Sequence, residues 1–282
     1  MITAKSYAKV NLSLDLVGKR EDGYHLLRSV MQKVSLCDII SVRKTPESIK
    51  ITCNKPYIPT DERNIVYKVA KAFFEYTGIT SGVHINIKKH IPCGAGLGGG
   101  SSNGAVVLDS LCCLFGVRMT ESQKASLCES IGADIPFFFY NGTSLIEGIG
   151  EKVTSLCDMP ECWFLIVKPK KSISTPTIFK HPETAKQFGS NSTDKVIEAI
   201  NEGSIEKLCS SVSNALEKAS IEVCPEIENI KTQLEQKGAR CSMMSGSGSA
   251  VFGIFTNHKS AKEARDYFLK HYKNTYIAKP VK

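Results

Sequence analysis

Pro92-Cys93-Gly94-Ala95-Gly96-Leu97-Gly98-Gly99-Gly100-Ser101-Ser102-Asn103 is the stretch on which the reading of this chain turns. Glycines stand at 94, 96, 98, 99 and 100, and two serines follow. Without a Cβ, such a segment reaches positive φ and leaves successive backbone N–H groups unshielded. Those groups can curl into a concavity that binds anions. From Ser101 onward, Ala105, Leu108, Leu111, Cys112 and Phe115 recur at helical spacing. A helix starting here turns its positive dipole end toward whatever the loop holds. The ligand class implied is a phosphate chain. No Gly-Lys-Ser/Thr closes the loop, so it is not a Walker A sequence. It is also too glycine-dense, and lacks the acidic residue at the right distance, for a dinucleotide fingerprint.

Outward from the loop, Val83, Ile85 and Ile87 alternate as a strand that delivers the chain to it. Before that, Asn64 to Tyr76 carries Ile65, Val66, Val69, Phe73 and Phe74 on one helical stripe, with Gly78 as a stop. At the start of the chain Val10, Leu12, Leu14 and Leu16 alternate with Lys9, Asn11, Ser13 and Asp15, a strand with one buried face. Asp22-Gly23 then signals a hairpin turn. Residues 29–43 and 49–53 read as further strands. Thr120 and Gln123 form a capping-box pattern for a helix ending at Gly132.

Beyond an apolar run from Ala133 to Phe139, glycines at 142, 148 and 150 mark turns. Residues 163–168 read as a strand and 194–219 as helical. Pro225 to Gly238 reads as a helix with proline first and glycine after. Short strands flank Ser245-Gly246-Ser247-Gly248-Ser249, and a helix at 259–271 and a strand at 274–279 follow. Strands with interspersed helices in both halves predict two α+β domains joined near 155–165.

The 282 residues, 42% hydrophobic and 23% charged, can build a core, which excludes a disordered chain. The net charge of +8 is scattered rather than run together, which favours small anionic substrates over nucleic acid. The 11 cysteines include no Cys-x-x-Cys pair, and Cys37, Cys112, Cys128 and Cys241 sit in apolar runs. That usage reads as small core residues in a reducing compartment, without a zinc site. No secretory pattern or membrane-length apolar run is present, so the expected location is the cytoplasm.

Three segments together resemble the GHMP kinase family: Ala8-Lys9-Val10-Asn11-Leu12, the Pro92–Asn103 loop, and Met244-Ser245-Gly246-Ser247-Gly248-Ser249-Ala250. Within that family, four further segments resemble the branch that acts on a cytidine-diphosphate-linked methylerythritol in the non-mevalonate isoprenoid pathway. They are the run from Gly18 to Leu27 containing Gly23-Tyr24-His25, the triple glycine before Ser101, the run Gly132-Ala133-Asp134-Ile135-Pro136-Phe137-Phe138, and Pro176-Thr177-Ile178-Phe179-Lys180. The resemblance implies a two-domain fold, an ATP-binding domain at 1–158 and a second domain at 159–282, with the active site in the cleft between domains. It implies phosphoryl transfer from ATP, with magnesium, to the 2-hydroxyl of the substrate. Positioning and charge stabilisation carry such a reaction.

Asp134, a carboxylate in an apolar run, is a candidate either for a helix N-cap or for a general base. The resemblance carries it over as the catalytic aspartate. Lys9 reads alone as a residue on a solvated strand face. The resemblance makes it the ammonium that keeps the aspartate ionised and orients the hydroxyl, with Asn11 near the acceptor. It makes Tyr24, His25 and Phe179 the readers of the cytosine, although Phe179 read alone is a core residue and Tyr24 and His25 are turn residues. It assigns Pro92 to Ser102 to ATP, with Asn64 on the adenosine side, and it assigns no metal ligand. The Ser245–Ser249 turn is expected near the acceptor. Other readings are a homoserine or mevalonate kinase of the same family, a catalytically silent nucleotide-binding module, and a nucleic-acid-binding protein. Gly23-Tyr24-His25 speaks against the first and the pair Lys9 and Asp134 against the second. Oligomeric state is not legible.

Overall fold

Alternation at the start of the chain does form strands, but two of them, β1 (Ile2–Asn11) and β2 (Ser13–Lys19), parted by a bend at Leu12. In chain order there follow β3 (His25–Thr45), β4 (Ile49–Cys53), α1 (Ile65–Thr77), β5 (Gly82–Lys88), α2 (Gly99–Phe115) and α3 (Glu121–Cys128). Next come β6 (Thr143–Gly148), β7 (Lys152–Ser155), β8 (Trp163–Lys168), α4 (Thr175–Phe179), α5 (Ser192–Asn201) and α6 (Ile205–Ser211). The chain ends through β9 (Ser213–Asn214), α7 (Glu217–Val223), α8 (Glu226–Gln236), β10 (Cys241–Met244), β11 (Val251–Phe255), α9 (His258–Phe268) and β12 (Asn274–Ala278). This is a computed structural model that describes residues 1–282. No helix in it is long and apolar enough to cross a membrane.

Two compact units emerge. One comprises Met1–Ala8, Cys37–Ile91 and Gly98–Tyr140; the other comprises Lys9–Leu36, Pro92–Leu97 and Asn141–Lys282. In the first, β5 lies parallel to β4 and antiparallel to the end of β3, with Ile40 opposite Ile87 and Val42 opposite Ile85. Helix α1 forms where its stripe predicts. Asn64 caps it by accepting from the Val66 N–H at 3.1 Å, and Gly78 ends it at φ 67°. Its buried face, Val66, Val69, Ala70 and Phe73, packs beside α2, and the Phe73, Phe74 and Phe115 rings meet edge-on or tilted. The Thr120–Gln123 capping box is present, but α3 stops at Cys128, short of the expected Gly132.

In the second unit, β3 begins antiparallel to β2 and β6, and β2 also runs parallel to the two-residue β9. A four-stranded antiparallel sheet follows the order β10-β11-β8-β12. Leu165, Val167, Val251 and Phe255 of that sheet share a core with Leu14, Leu16, Ile227, Leu234 and Phe268. The 194–219 segment is not one helical stretch. Ser204 caps α6 anew, and Ser213 and Asn214 leave the helical path to pair with Ser13 and Leu14. Both units mix helices with mainly antiparallel strands, the α+β class expected.

The polar face of the first strands is not solvated, contrary to expectation: Lys9, Asn11, Ser13 and Asp15 are all buried. Each buried polar group needs a partner. Asn11 Nδ2 donates to Ser29 Oγ at 2.8 Å, and the Ser13 and Thr193 hydroxyls lie 3.0 Å apart. Asp15 accepts from the Thr193 N–H at 2.8 Å and from the Ser192 hydroxyl. Helix α5 supplies the partners of Ser13 and Asp15, and β3 that of Asn11, so this polar face is buried too.

Candidate active site

The approach to the glycine loop is held by a buried ion pair. Asp38, in β3, is fully buried and paired with the Lys89 ammonium. Its other oxygen accepts from the N–H groups of His90 and Ile91 at 2.7 and 2.8 Å. Asn54 adds a bond from the Lys89 N–H at 2.7 Å. Removing one partner of such a pair is costly, because the other is left charged and buried.

In the loop, Gly94, Gly96 and Gly98 adopt φ of 58°, 71° and 65°. At Gly96 the close approach is decisive: a Cβ would stand 1.9 Å from the Ser245 carbonyl oxygen. The loop carbonyls are tied back one after another. The Ala95 carbonyl accepts from the Ala250 N–H at 3.2 Å, Gly96 from Ser245 Oγ at 2.9 Å, and Leu97 from the Lys9 N–H at 3.0 Å. By contrast, no N–H from Gly94 to Ser101 donates to another group of the chain. Gly98, at the N-cap of α2, offers no side-chain bond to the first helical turn. The loop therefore presents donors and hides acceptors, the polarity an anion requires.

Three segments far apart in sequence meet at that tie. The Lys9 ammonium donates to Asn11 Oδ1 at 2.6 Å, and the Asn11 N–H to Ser245 Oγ at 3.3 Å. A Cβ on Gly246 would lie 3.2 Å from Lys9 Nζ and 3.4 Å from Asn11 Oδ1. The Ser245–Ser249 turn is thus against Lys9 and Asn11. Sequence reasoning missed two residues here, one that ties the turn and one beside the glycine loop. Asn214 Nδ2 donates to the carbonyls of Met244 and Gly246 at 2.9 and 2.8 Å. Lys168, buried at the end of β8, donates to the Pro169 carbonyl at 3.0 Å and to Ser172 Oγ at 3.1 Å, beside Gly94. Burial pushes its pKa down. Neither had a signal: Asn214 sat in an apparently helical run, and Lys168 at a strand end.

Phe179, at the end of α4, lies 5.4 Å from the His25 ring, so the two residues expected on one base are neighbours. Tyr24 beside them is 62% exposed. Burial, and then the charge of Lys19, lower the His25 pKa from 6.5, so the imidazole is neutral at pH 7. Phe179 also packs against the core of its unit, as its residue type alone suggests.

In the other unit, Asp134 is half-buried just before a short 3-10 helix, Pro136–Phe139. The N-cap position of that short helix is Ile135, which makes no side-chain cap bond. Asn64 spends its amide on α1 and on the Pro59 carbonyl, at 2.6 Å. Ser102 is buried and accepts from Ser6 Oγ at 2.7 Å. All 11 cysteines are free thiols. Burial lifts Cys128 and Cys162 to about 12, as inert core thiols require, whereas Cys113 and Cys157 are exposed.

Residues 64–142 match the family of GHMP kinases by its N-terminal domain, and residues 196–274 match its C-terminal part. A Clostridium botulinum (strain Alaska E43 / Type E3) 4-diphosphocytidyl-2-C-methyl-D-erythritol kinase is 42% identical over 277 residues, 98% of this chain and 99% of its own. The chain belongs to the GHMP kinase family. A Clostridium novyi (strain NT) protein of the same description is 40% identical over the same share of each chain. The crystal structure of a 4-(cytidine 5'-diphospho)-2C-methyl-D-erythritol kinase superposes with a TM-score of 0.85 at 30% identity, covering 100% of both chains. A homoserine kinase from Cytophaga hutchinsonii shares the fold alone, with a TM-score of 0.78 at 18% identity. The two matched GHMP kinase segments lie on either side of residue 158. The first takes in Asn64, the glycine loop and Asp134, and the second the Ser245–Ser249 turn. Lys9, Asn11, Tyr24, His25 and Phe179 lie outside both.

Proposed function

We propose that this chain is an ATP-dependent kinase that phosphorylates the 2-hydroxyl of 4-diphosphocytidyl-2-C-methyl-D-erythritol, in isoprenoid precursor synthesis. Its partner is this small molecule, in the cytoplasm, and not a nucleic acid or a membrane. The observation that carries phosphoryl transfer is the glycine loop, whose carbonyls at 95, 96 and 97 are bound from behind while the N–H groups from Gly94 to Ser101 stay open. Such fixed donors stabilise charge without reorganising when it develops.

In this reading Pro92 to Ser102 hold the ATP phosphates and Asn64 borders the adenosine. Asp134 takes the proton of the acceptor hydroxyl. Lys9 and Asn11 orient that hydroxyl, and the Lys9 charge favours the anionic phosphoryl group. Tyr24 and Phe179 stack on the cytosine and His25 reads its edge. Magnesium accompanies ATP. Such a cation is held largely by phosphate oxygens and water. When bound it supplies charge neutralisation at those phosphates.

The experiment is a substrate panel with ATP and magnesium: the cytidine diphosphate methylerythritol, homoserine and mevalonate. Turnover of the first at the highest kcat/KM is the expected result. Faster turnover of either simple alcohol overturns the substrate assignment.

A further inference from the structure

Lys168 ends β8 with its ammonium inside the protein, at 5% exposure. Its N–H groups are all spent on uncharged oxygens. The carbonyls of Pro169 and Lys171 accept at 3.0 and 3.4 Å, and Ser172 Oγ accepts at 3.1 Å. No carboxylate forms an ion pair with it. The titratable groups facing it are Cys224 and Glu226, where α7 gives way to α8, and Cys93 of the glycine loop. The neighbouring Lys171 ammonium turns to the Val223 carbonyl at 2.6 Å. Bonds of this kind satisfy the N–H groups but leave the charge uncompensated. A buried charge is expensive unless an opposite charge stands near.

What stands near is the loop. Ser172 lies against Gly94, where a Cβ would come within 3.1 Å of its hydroxyl. The Lys171 carbonyl that accepts from Lys168 also accepts from Ser249 Oγ. The next residue, Ala250, holds the Ala95 carbonyl from behind at 3.2 Å. The ammonium is therefore fastened behind residues 93–95 at two points. The N–H groups from Gly94 onward, open to an anion, begin in the same few peptides.

A concavity built for an anion and a buried cation without a counter-ion, a peptide layer apart, complete each other. Resting on the ATP-dependent reading above, we infer that Lys168 is a charge partner of the phosphate chain. Its ammonium does not touch the phosphates but attracts them across residues 93–95, and the bound phosphates serve as its counter-ion. Buried charges are screened much less than exposed ones, so the attraction persists in salt. It also carries a proton linkage. Burial holds the Lys168 pKa below its ordinary 10.5 in the free protein, and a neighbouring anion raises it again. Below the free-protein pKa the ammonium is present throughout and binding is at full strength. As pH rises through that pKa, binding must restore the proton and affinity falls.

The test is calorimetry on the wild type, Lys168→Met and Lys168→Arg, from about pH 7 to about pH 10, in buffers of differing ionisation enthalpy. The probes are a non-hydrolysable ATP analogue and adenosine. At an effective dielectric of about 20, a charge at roughly two to three times contact distance corresponds to about ten- to thirtyfold in affinity. Lys168→Met should lose about that much for the triphosphate at neutral pH and nothing for adenosine, which carries no charge. The wild type should take up protons on binding the triphosphate at alkaline pH, and Lys168→Met should take up fewer. Lys168→Arg, whose guanidinium keeps its proton throughout this range, should hold its affinity at the alkaline end where the wild type weakens. A thermal melt checks each fold, and if Lys168→Met does not fold, the pH profiles of Lys168→Arg and the wild type decide. A wild type without affinity for the triphosphate analogue overturns both this inference and the functional reading. A wild type that binds it overturns this inference alone if Lys168→Met binds equally well, if adenosine shares the loss, or if Lys168→Arg weakens with pH as the wild type does.

Discussion

Gly96 and Gly116 make a matched pair for testing how the glycine loop is held. Both adopt φ of 71°, so alanine at either position meets the same backbone strain. That strain is about 1–2 kcal/mol for an L-residue in the left-handed region. Alanine also lowers the entropy of the unfolded chain, which returns about 0.4–1 kcal/mol. Gly116→Ala, with nothing within 4 Å of the new methyl, should therefore cost about 1 kcal/mol and no more. Gly96→Ala brings the methyl to 1.9 Å from the Ser245 carbonyl oxygen and 2.9 Å from its carbon. Both obstacles are backbone, and Ser245 is itself bound to Gly96 and Ala250, so neither yields cheaply. Overpacking adds about 1–3 kcal/mol. Urea denaturation should thus separate the two variants by about 1–3 kcal/mol. Where the loop escapes by lifting off Ser245, its donors lose their aim. Calorimetry with a non-hydrolysable ATP analogue should then show at least about a tenfold weaker affinity for Gly96→Ala, equivalent to 1.4 kcal/mol, and none lost for Gly116→Ala. Equal stabilities and equal affinities would refute the claim that Ser245 sets the loop.

Asp134→Asn should lower kcat by about 10² to 10⁴ while both KM values stay within a few-fold, because the amide keeps the shape but cannot take a proton. Steady-state kinetics showing near-normal kcat would remove Asp134 from the mechanism. Asp38→Ala should destabilise the protein by about 3–5 kcal/mol, since it leaves the Lys89 ammonium buried and unpaired, and Asp38→Leu with Lys89→Met should recover much of the loss. A denaturation curve in which the double variant is no better than the single would count against that account. The depressed pKa of His25 means that the neutral form predominates above 6.5 and protonation sets in only below it. The KM of the cytidine-linked substrate should be flat at neutral pH and rise on acidification. Lys19→Ala removes a charge that lowers this pKa, so the rise should begin at higher pH; a profile that shifts the other way contradicts the assigned cause.

What could be read in advance was what is settled locally. Helix α1 declared itself through Asn64, one apolar stripe and Gly78, all within a short span, and the structure uses each as expected. The glycine loop was legible for a similar reason: glycine permits the φ above zero found at 94, 96 and 98. The failures are long-range. Nothing near Ser213 and Asn214 says that they will pair with Ser13 and Leu14, so a broken run looked like continuous helix. Ser13 and Asp15 looked solvated because the groups that satisfy them, Thr193 and Ser192, arrive from far along the chain, and Asn11 because Ser29 and Ser245 come from other segments.

That division bears on how the loop works. Glycine content makes a loop able to bind an anion, but it also makes it able to do many other things, and flexible donors would have to be ordered at the moment of binding. The remedy is written elsewhere in the chain. Lys9 at its start, and Ser245 and Ala250 near its end, each take one carbonyl of the loop at 3.0, 2.9 and 3.2 Å. A peptide plane held by its carbonyl has its N–H aimed the other way, so three bonds made behind the loop set the direction of the donors in front. Lys9 does this with its backbone while its ammonium, 2.6 Å from Asn11, stays on the same cluster. Orientation of the donors and placement of the charge are therefore one structural event. This is why the three sequence segments that carry the family resemblance are the three that meet here. A carbonyl freed by substitution of Ser245 would leave the Gly96 peptide able to turn, and the cost would fall on anion affinity before it fell on stability.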